Sequence, residues 1–323
     1  MRYGLTFLVL IAPVAALRAA DNWPQYRGPN GNGQTDARGV PTTWSETENI
    51  RWKVAIHDKG WSSPVVWGGQ VWVTTALEDG REFYAVCLDR KTGKIVHDLK
   101  LFTEDKPVSY SKYNSCASPT PVIEEGRLYA HFGTHGTACV DTASGKVLWM
   151  NNEMHLDHWR GPASSPILYG KLLMLTFDGY DAQFVAALDK DSGKIVWKKD
   201  REIKFPNDNG DLKKAFATPT IMEVNGKAQL VSPAAEATIA YDPATGDEIW
   251  RVIHGGMNEA ARPVFGHGLI FLTSGHPSSV LAVRQGRSGL LSSEDVAWKS
   301  NRAVPSRPSL FSGQSTQAVA DGE

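Results

Sequence analysis

Two imidazoles and a carboxylate lie close together at His155, Asp157 and His158, with Arg160 just beyond them. Imidazole nitrogens and carboxylate oxygens are metal ligands, so metal binding is the chemistry such a group can do. The spacing matches no established ligand motif, and the segment from Asn152 to Arg160 therefore reads first as a solvated loop between strands. A metal held by His155, Asp157 and His158 is the alternative. Arg160 precedes Gly161-Pro162 and is placed to hydrogen-bond backbone carbonyls and fix that loop. Asp178 and Asp181 could offer calcium two carboxylates, but the further oxygen ligands of a calcium loop do not follow, so a plain turn is expected. No Gly-x-Ser-x-Gly elbow, phosphate-binding loop or His-Glu-x-x-His helix occurs, which leaves hydrolase and kinase chemistry without its usual support.

The elements that must position these groups are repeats. Ala187-Leu-Asp-Lys-Asp-Ser-Gly-Lys-Ile-Val-Trp197 returns imperfectly as Val86 to His97, Cys139 to Trp149 and Ala240 to Trp250. The shared positions are Asp89 and Gly93; Asp141, Gly145 and Trp149; Asp189, Gly193 and Trp197; Asp242, Gly246 and Trp250. Apolar residues run into the Asp, whose side chain can satisfy nearby backbone N–H groups, and the Gly supplies a positive φ. A β-branched and aromatic run follows. Each copy is thus a hairpin, with a glycine bulge expected at its turn. The large residue always falls at one place after the Gly, so it should pack against the neighbouring repeat. These residues specify the fold rather than carry an activity.

Second markers locate the start of each unit: Ser63-Pro64, Ser118-Pro119, Ser165-Pro166, Thr218-Pro219 and Arg262-Pro263. Each precedes two short apolar strands, and the Asp-turn hairpin brings the count to four strands in about fifty residues. That period predicts an all-β fold, a β-propeller of four-stranded blades, with five blades recognisable. In the fifth the Asp-turn is replaced by Arg284-Gln-Gly-Arg-Ser-Gly289. Ile50-Arg51-Trp52-Lys53 resembles a repeat-ending strand without its partner, and a sixth unit is expected after Arg307-Pro308 but its strand pair does not follow. The expectation is a propeller truncated at its C-terminus.

The chain has 323 residues, 41% of them hydrophobic, with 11 Trp, 30 Gly and a formal net charge of −1. Near-neutrality provides no electrostatic footprint for nucleic acid. Arg2 followed by the apolar run Leu5 to Leu17 and then Ala19-Ala20 has the form of a secretory signal peptide, so residues 1–20 are read as a signal. Export to the periplasm or outside the cell follows, with no integral membrane anchor after signal removal. Residues 21–43 are expected to be a loop lying over the body of the fold, 44–308 the propeller and 309–323 an irregular tail. Cys87, Cys116 and Cys139 form no disulfide framework, and Cys87 and Cys139, at one repeat position, should face the core.

Asp-x-x-(Ser/Thr)-Gly-Lys-x-x-Trp resembles the tryptophan-docking repeat of the pyrroloquinoline quinone-like propeller superfamily, over residues 50 to 300. That superfamily includes quinoprotein alcohol dehydrogenases and the propeller subunit of the bacterial outer-membrane β-barrel assembly machinery. Trp23-Pro-Gln-Tyr-Arg-Gly-Pro, Tyr113 to Pro121 and His158 to Pro166 are similar to exported propellers found in planctomycete-like bacteria. The resemblance implies, for the dehydrogenases, an axial quinone with calcium, a catalytic Asp, a stacking Trp and often a disulfide between adjacent cysteines. This chain has no adjacent cysteines, and its residues do not match the calcium ligands or catalytic Asp one by one. No cofactor is therefore expected, and a quinone-dependent oxidoreductase of alcohols or sugars is the alternative. The main reading is a binding or assembly scaffold for a protein, peptide or carbohydrate partner, with envelope protein assembly as one form of it. Propeller ligands gather where strand-start loops meet at the axis, so Asn114, His131, Arg160 and Arg262 are the candidate ligand-binding residues.

Overall fold

Short apolar runs separated by Gly-bearing turns fold into five antiparallel sheets in the computed structural model, which describes residues 22–106 and 110–301. The signal segment 1–20 and the tail 309–323 lie outside the described residues. Blade one comprises β1 (Val65–Trp67), β2 (Gln70–Ala76), β3 (Glu82–Asp89) and β4 (Ile95–Thr103). Blade two comprises β5 (Val122–Glu124), β6 (Arg127–His131), β7 (Thr137–Asp141) and β8 (Val147–Asn151). Blade three follows with β9 (Ile167–Tyr169), β10 (Leu172–Asp178), β11 (Gln183–Asp189) and β12 (Ile195–Asp200). Blade four contains β13 (Thr220–Val224), β14 (Lys227–Pro233), β15 (Ala237–Tyr241) and β16 (Glu248–Ile253). Blade five contains β17 (Val264–Gly266), β18 (Leu269–Thr273), β19 (Val280–Arg284) and β21 (Val296–Ser300), with β20 (Gly289–Leu290) set apart. Within each blade the strands pair in chain order.

The third-to-fourth strand turn is built as its residues dictate. Asp189 Oδ1 accepts from Ser192 N–H at 2.8 Å and Ser192 Oγ at 2.7 Å, Gly193 N–H returns to Asp189 O, and Gly193 has φ +72°. Asp89 with Thr92 and Asp141 with Ser144 repeat this arrangement. Asp189 N–H in turn donates to Lys194 O at 2.8 Å, so Gly193 and Lys194 together oppose Asp189 as the expected glycine bulge, and a second bulge follows it. Ala187 pairs with Trp197 and Leu188 with Ile195, which leaves Val196 unpaired immediately before the Trp. Val96, Leu148, Ile249 and Ala297 are skipped in the same way. An extra residue there resets the pleat and re-aims the next side chain.

Re-aimed, the large residue of each unit lies on the turn of the next. Trp149 donates its Nε1–H to Lys190 O at 2.9 Å and Trp197 to Pro243 O at 3.2 Å, over Gly193 and Gly246 respectively. His97 lies over Gly145, and Trp52, although outside any strand, lies over Gly93 and bonds Arg90 O. The fifth turn lacks the Asp–Gly platform. There β20 adds to blade four as a parallel fifth strand, pairing Trp250 with Gly289, and Trp250 bonds Gln229 Oε1 within its own blade.

Alternation along each strand sends neighbours to opposite faces. Leu128 packs toward blade one with Trp72 and Phe83, whereas Tyr129 packs toward blade three with Trp149 and Phe184. Met174, Trp197 and Ile239 fill the space between blades three and four, and Trp250, Ile270 and Leu281 that between four and five. Cys87 and Cys139 are buried in these layers, and all three cysteines are free thiols. The 22–34 segment packs against the first strands. Trp23 bridges to Val66, and Pro24 O accepts from Ile123 N–H at 2.8 Å. Among the described residues no helix is long and apolar enough to cross a membrane.

Candidate binding mouth

One residue before the proline that opens each first strand stands Ser63, Thr120, Ser165, Thr218 and, in blade five, Arg262. Ser63 N–H donates to Thr120 Oγ1, Thr120 N–H to Ser165 Oγ and Ser165 N–H to Thr218 Oγ1, each at 3.0 Å. These bonds stitch consecutive blades together and leave a belt of hydroxyl groups at the strand starts. The belt borders a hollow of about 200 Å³ with Tyr26, Trp61, Asn114 and Phe216 on its wall. A second hollow of about 220 Å³ shares Asn114 and is bordered by Lys59 and Lys112. Trp61 borders the first hollow, while Tyr113 stands between the lining residues Lys112 and Asn114, and Trp159 accepts through its carbonyl from Ser111 N–H of the second; the three are 38%, 67% and 47% exposed. Each carries a cation over its ring: Lys59 at 5.7 Å, Lys112 at 5.1 Å and Arg160 at 4.4 Å.

Asn114 is a clamp as well as a lining residue. Its Nδ2 donates to Arg160 O at 2.7 Å and Pro162 O at 3.1 Å, while Oδ1 accepts from Ser115 N–H and Ser118 Oγ. Arg160 comes to the rim through that bond. It is the Arg160 carbonyl, held by Asn114, that ties the loop, while the guanidinium covers Trp159. His131 is not at the mouth; it is buried in the wall between blades two and three, edge-on to Phe177, with Nδ1 2.9 Å from Thr137 Oγ1. Burial draws its pKa down to about 3, so the ring is neutral. Arg262 reaches Tyr26 O at 2.8 Å and lies on the other side of the 22–34 segment.

The polar loop places its imidazoles apart. The His158 ring is buried between Tyr180 and Phe216, at 5.8 and 5.1 Å, and burial pushes its pKa down to about 4. His155 Nδ1 faces Thr134 Oγ1 at 3.4 Å, and the Asp157 backbone N–H donates to Asp181 Oδ1. Asp178 is engaged elsewhere, 2.6 Å from buried Arg201. Among the described residues no cluster of three or more His, Cys, Asp or Glu is arranged to hold a metal. A calcium-held quinone needs several oxygen ligands including carboxylates. The first hollow is lined by hydroxyls, an amide and aromatic rings, and the second adds one carboxylate, Glu78, 3.7 Å from Lys59, so the residues present there do not fit that group.

Behind the mouth, Glu259 is fully buried, with Oε1 accepting from Thr273 Oγ1 at 2.5 Å and Ala261 N–H at 3.0 Å. Burial raises its pKa to about 8. An unfolded Glu titrates near 4.3. Between these values the unfolded chain releases a proton that the folded chain keeps, so stability falls as pH rises from about 4.3 to about 8 and then levels. Glu259→Gln should remove that slope, as denaturant unfolding at pH 5 and pH 8 will register.

Five four-stranded blades, the first four joined by docked aromatic residues and a hydroxyl belt, define a pyrroloquinoline quinone-like β-propeller with an open polar mouth. The chain belongs to the family described as outer membrane protein assembly factor BamB, matched over residues 34–173 and 181–323. It is similar to quinoprotein ethanol dehydrogenase of Pseudomonas aeruginosa, at 30% identity over 40% of this chain and 22% of that protein. It is likewise similar to quinoprotein alcohol dehydrogenase PedH of Pseudomonas putida, at 32% over 40% of this chain and 22% of the relative. The chain thus spans about a fifth of the length of these curated relatives. Among solved structures, BamB from Moraxella catarrhalis superposes with a TM-score of 0.50 at 15% identity, covering 72% of this chain and 61% of that one. Quinohemoprotein alcohol dehydrogenase from Comamonas testosteroni gives 0.54 at 10%, covering 84% and 48%. At such identities the likeness concerns the fold alone.

Proposed function

We propose that this chain is an exported binding or assembly scaffold, periplasmic or extracellular, which takes a protein, peptide or carbohydrate segment at the mouth. The carrying observation is the trio of exposed rings, Trp61, Tyr113 and Trp159, around hollows lined by hydroxyl and amide groups. Exposed aromatic faces provide large contact area at low entropic cost, and the hydroxyl and amide groups fix orientation by hydrogen bonds. Lys112 favours an electron-rich or acidic segment, whereas Lys59 and Arg160 are already matched by Glu78 at 3.7 Å and Asp211 at 4.0 Å. Membership of a family described as an outer membrane protein assembly factor supports an assembly role in the envelope. The dehydrogenase relatives support the alternative, a quinone-dependent oxidoreductase of alcohols or sugars, whose signature is dye-linked oxidation of ethanol or glucose with added quinone and calcium.

Trp61→Ala combined with Trp159→Ala tests the binding reading. Removing two partly exposed rings should shift Tm by no more than a few degrees. Binding to oligosaccharides or peptides selected on an array should fall at least about tenfold, as removing central aromatic anchors does. Unchanged binding would dismiss the mouth as the site.

A further inference from the structure

A larger cavity, about 590 Å³, lies on the far side of the 22–34 segment, against the first strands of blades three, four and five. It shares no lining residue with the mouth hollow, so what it binds is independent of the mouth reading. Arg262 stands in its wall at the position that is Ser or Thr in the other four blades. The belt continues no further there: the guanidinium turns aside, donating from Nε to Thr220 Oγ1 at 2.9 Å and from Nη1 to Tyr26 O at 2.8 Å. It packs against Gly31, which has φ +65° and no side chain to displace it.

Arg262 is only 4% exposed, yet among the described residues no carboxylate comes within ion-pair distance and none borders the cavity. Burial lowers its pKa to about 10, which still leaves it charged at neutral pH. A buried cation without counter-charge is costly, and an anion entering the cavity relieves that cost. The two contacts also leave further N–H donors of the planar fork, which matches a carboxylate edge. Asn30 and Gln34 bring amide groups to the same wall, and Phe265, 42% exposed, brings an apolar ring face. Guanidinium, amides and ring face together suit a carboxylate, hydroxyl groups and the C–H face of a pyranose.

We propose that this cavity binds a sugar acid, with the carboxylate on Arg262, the hydroxyls on Asn30 and Gln34, and the ring against Phe265. The test is calorimetric titration of the chain with glucuronate, glucose, sulfate and pyrroloquinoline quinone. Glucuronate should bind saturably and at least about tenfold more tightly than glucose or sulfate, the range that one charge-assisted contact confers. Arg262→Gln should abolish that preference, while the Trp61→Ala/Trp159→Ala pair should leave it intact. Because Arg262→Gln also releases Tyr26 O, Phe265→Ala provides a second reading: it keeps that anchor and should weaken glucuronate severalfold. Glucose or sulfate binding as well as glucuronate overturns the proposal. So does an unchanged affinity in both Arg262→Gln and Phe265→Ala, or quinone binding at Arg262 with no glucuronate binding.

Discussion

Trp197→Ala is expected to destabilise the chain by about 3–5 kcal/mol, the range for emptying a large aromatic site from a packed core. The ring is 7% exposed, lies among Met174, Ile239 and Tyr241 between blades three and four, and holds the Pro243 carbonyl. Its loss opens a cavity and frees the turn on which it lies. A methyl group at Gly246 would stand 2.7 Å from the Trp197 ring, at a residue with φ +74°. Gly246→Ala should therefore destabilise as well, by strain and by displacing the ring. Since both substitutions break one contact, the double variant should cost less than the sum of the singles by at least about 0.5 kcal/mol. Urea unfolding of the four proteins measures this, and additivity would show that the Trp does not act through the next blade's turn.

Arg201→Met is expected to cost about 3–5 kcal/mol, because it strands a carboxylate in the interior. Asp178 and Arg201 are 3% and 0% exposed, with Nε 2.6 Å from Oδ1, and Arg201 Nη2 also donates to Ser232 Oγ of blade four at 2.9 Å. Asp178→Asn should behave similarly by leaving the cation unpaired. The double variant Asp178→Leu/Arg201→Met should recover much of the loss, since a buried pair exchanged for apolar groups of similar volume is near neutral. If it unfolds as readily as the singles together, the pair holds blades three and four by more than mutual neutralisation.

The fold was legible because its signals are local and repeated. Asp189, Ser192 and Gly193 make their turn almost entirely among themselves, and the recurrence of Trp149, Trp197 and Trp250 implies one docking rule. The second bulge escaped because Val96, Leu148 and Val196 are apolar like any strand residue, and only cross-strand register distinguishes the one left unpaired. Gly289-Leu290 carries no strand signal at all; its pairing with Trp250 depends on the missing fifth platform.

The mouth was half visible. Ser-Pro and Thr-Pro steps were read as unit markers, and the residue before the proline proved to be the belt itself. In blade two that residue is Thr120 before Pro121, not Ser118 before Pro119. Asn114 and Arg262 lie near strand starts, but their bonds to Pro162 and Tyr26 span distances that no local pattern encodes. Tyr26 itself arrives from the N-terminal segment for the same reason. His131 looked available at the end of β6 and is sealed in by Phe177 of the next blade.

The central claim is that the mouth binds a partner segment and performs no redox chemistry of its own. The most direct measurement screens the parent and the Trp61→Ala/Trp159→Ala variant side by side on glycan and peptide arrays, with dye-linked oxidation of ethanol and glucose followed in the presence of quinone and calcium. The account predicts a discrete set of array ligands that the variant loses, at least about tenfold, and no oxidation by either protein. Quinone-dependent oxidation by the parent, or array binding that survives the loss of both rings, would contradict it.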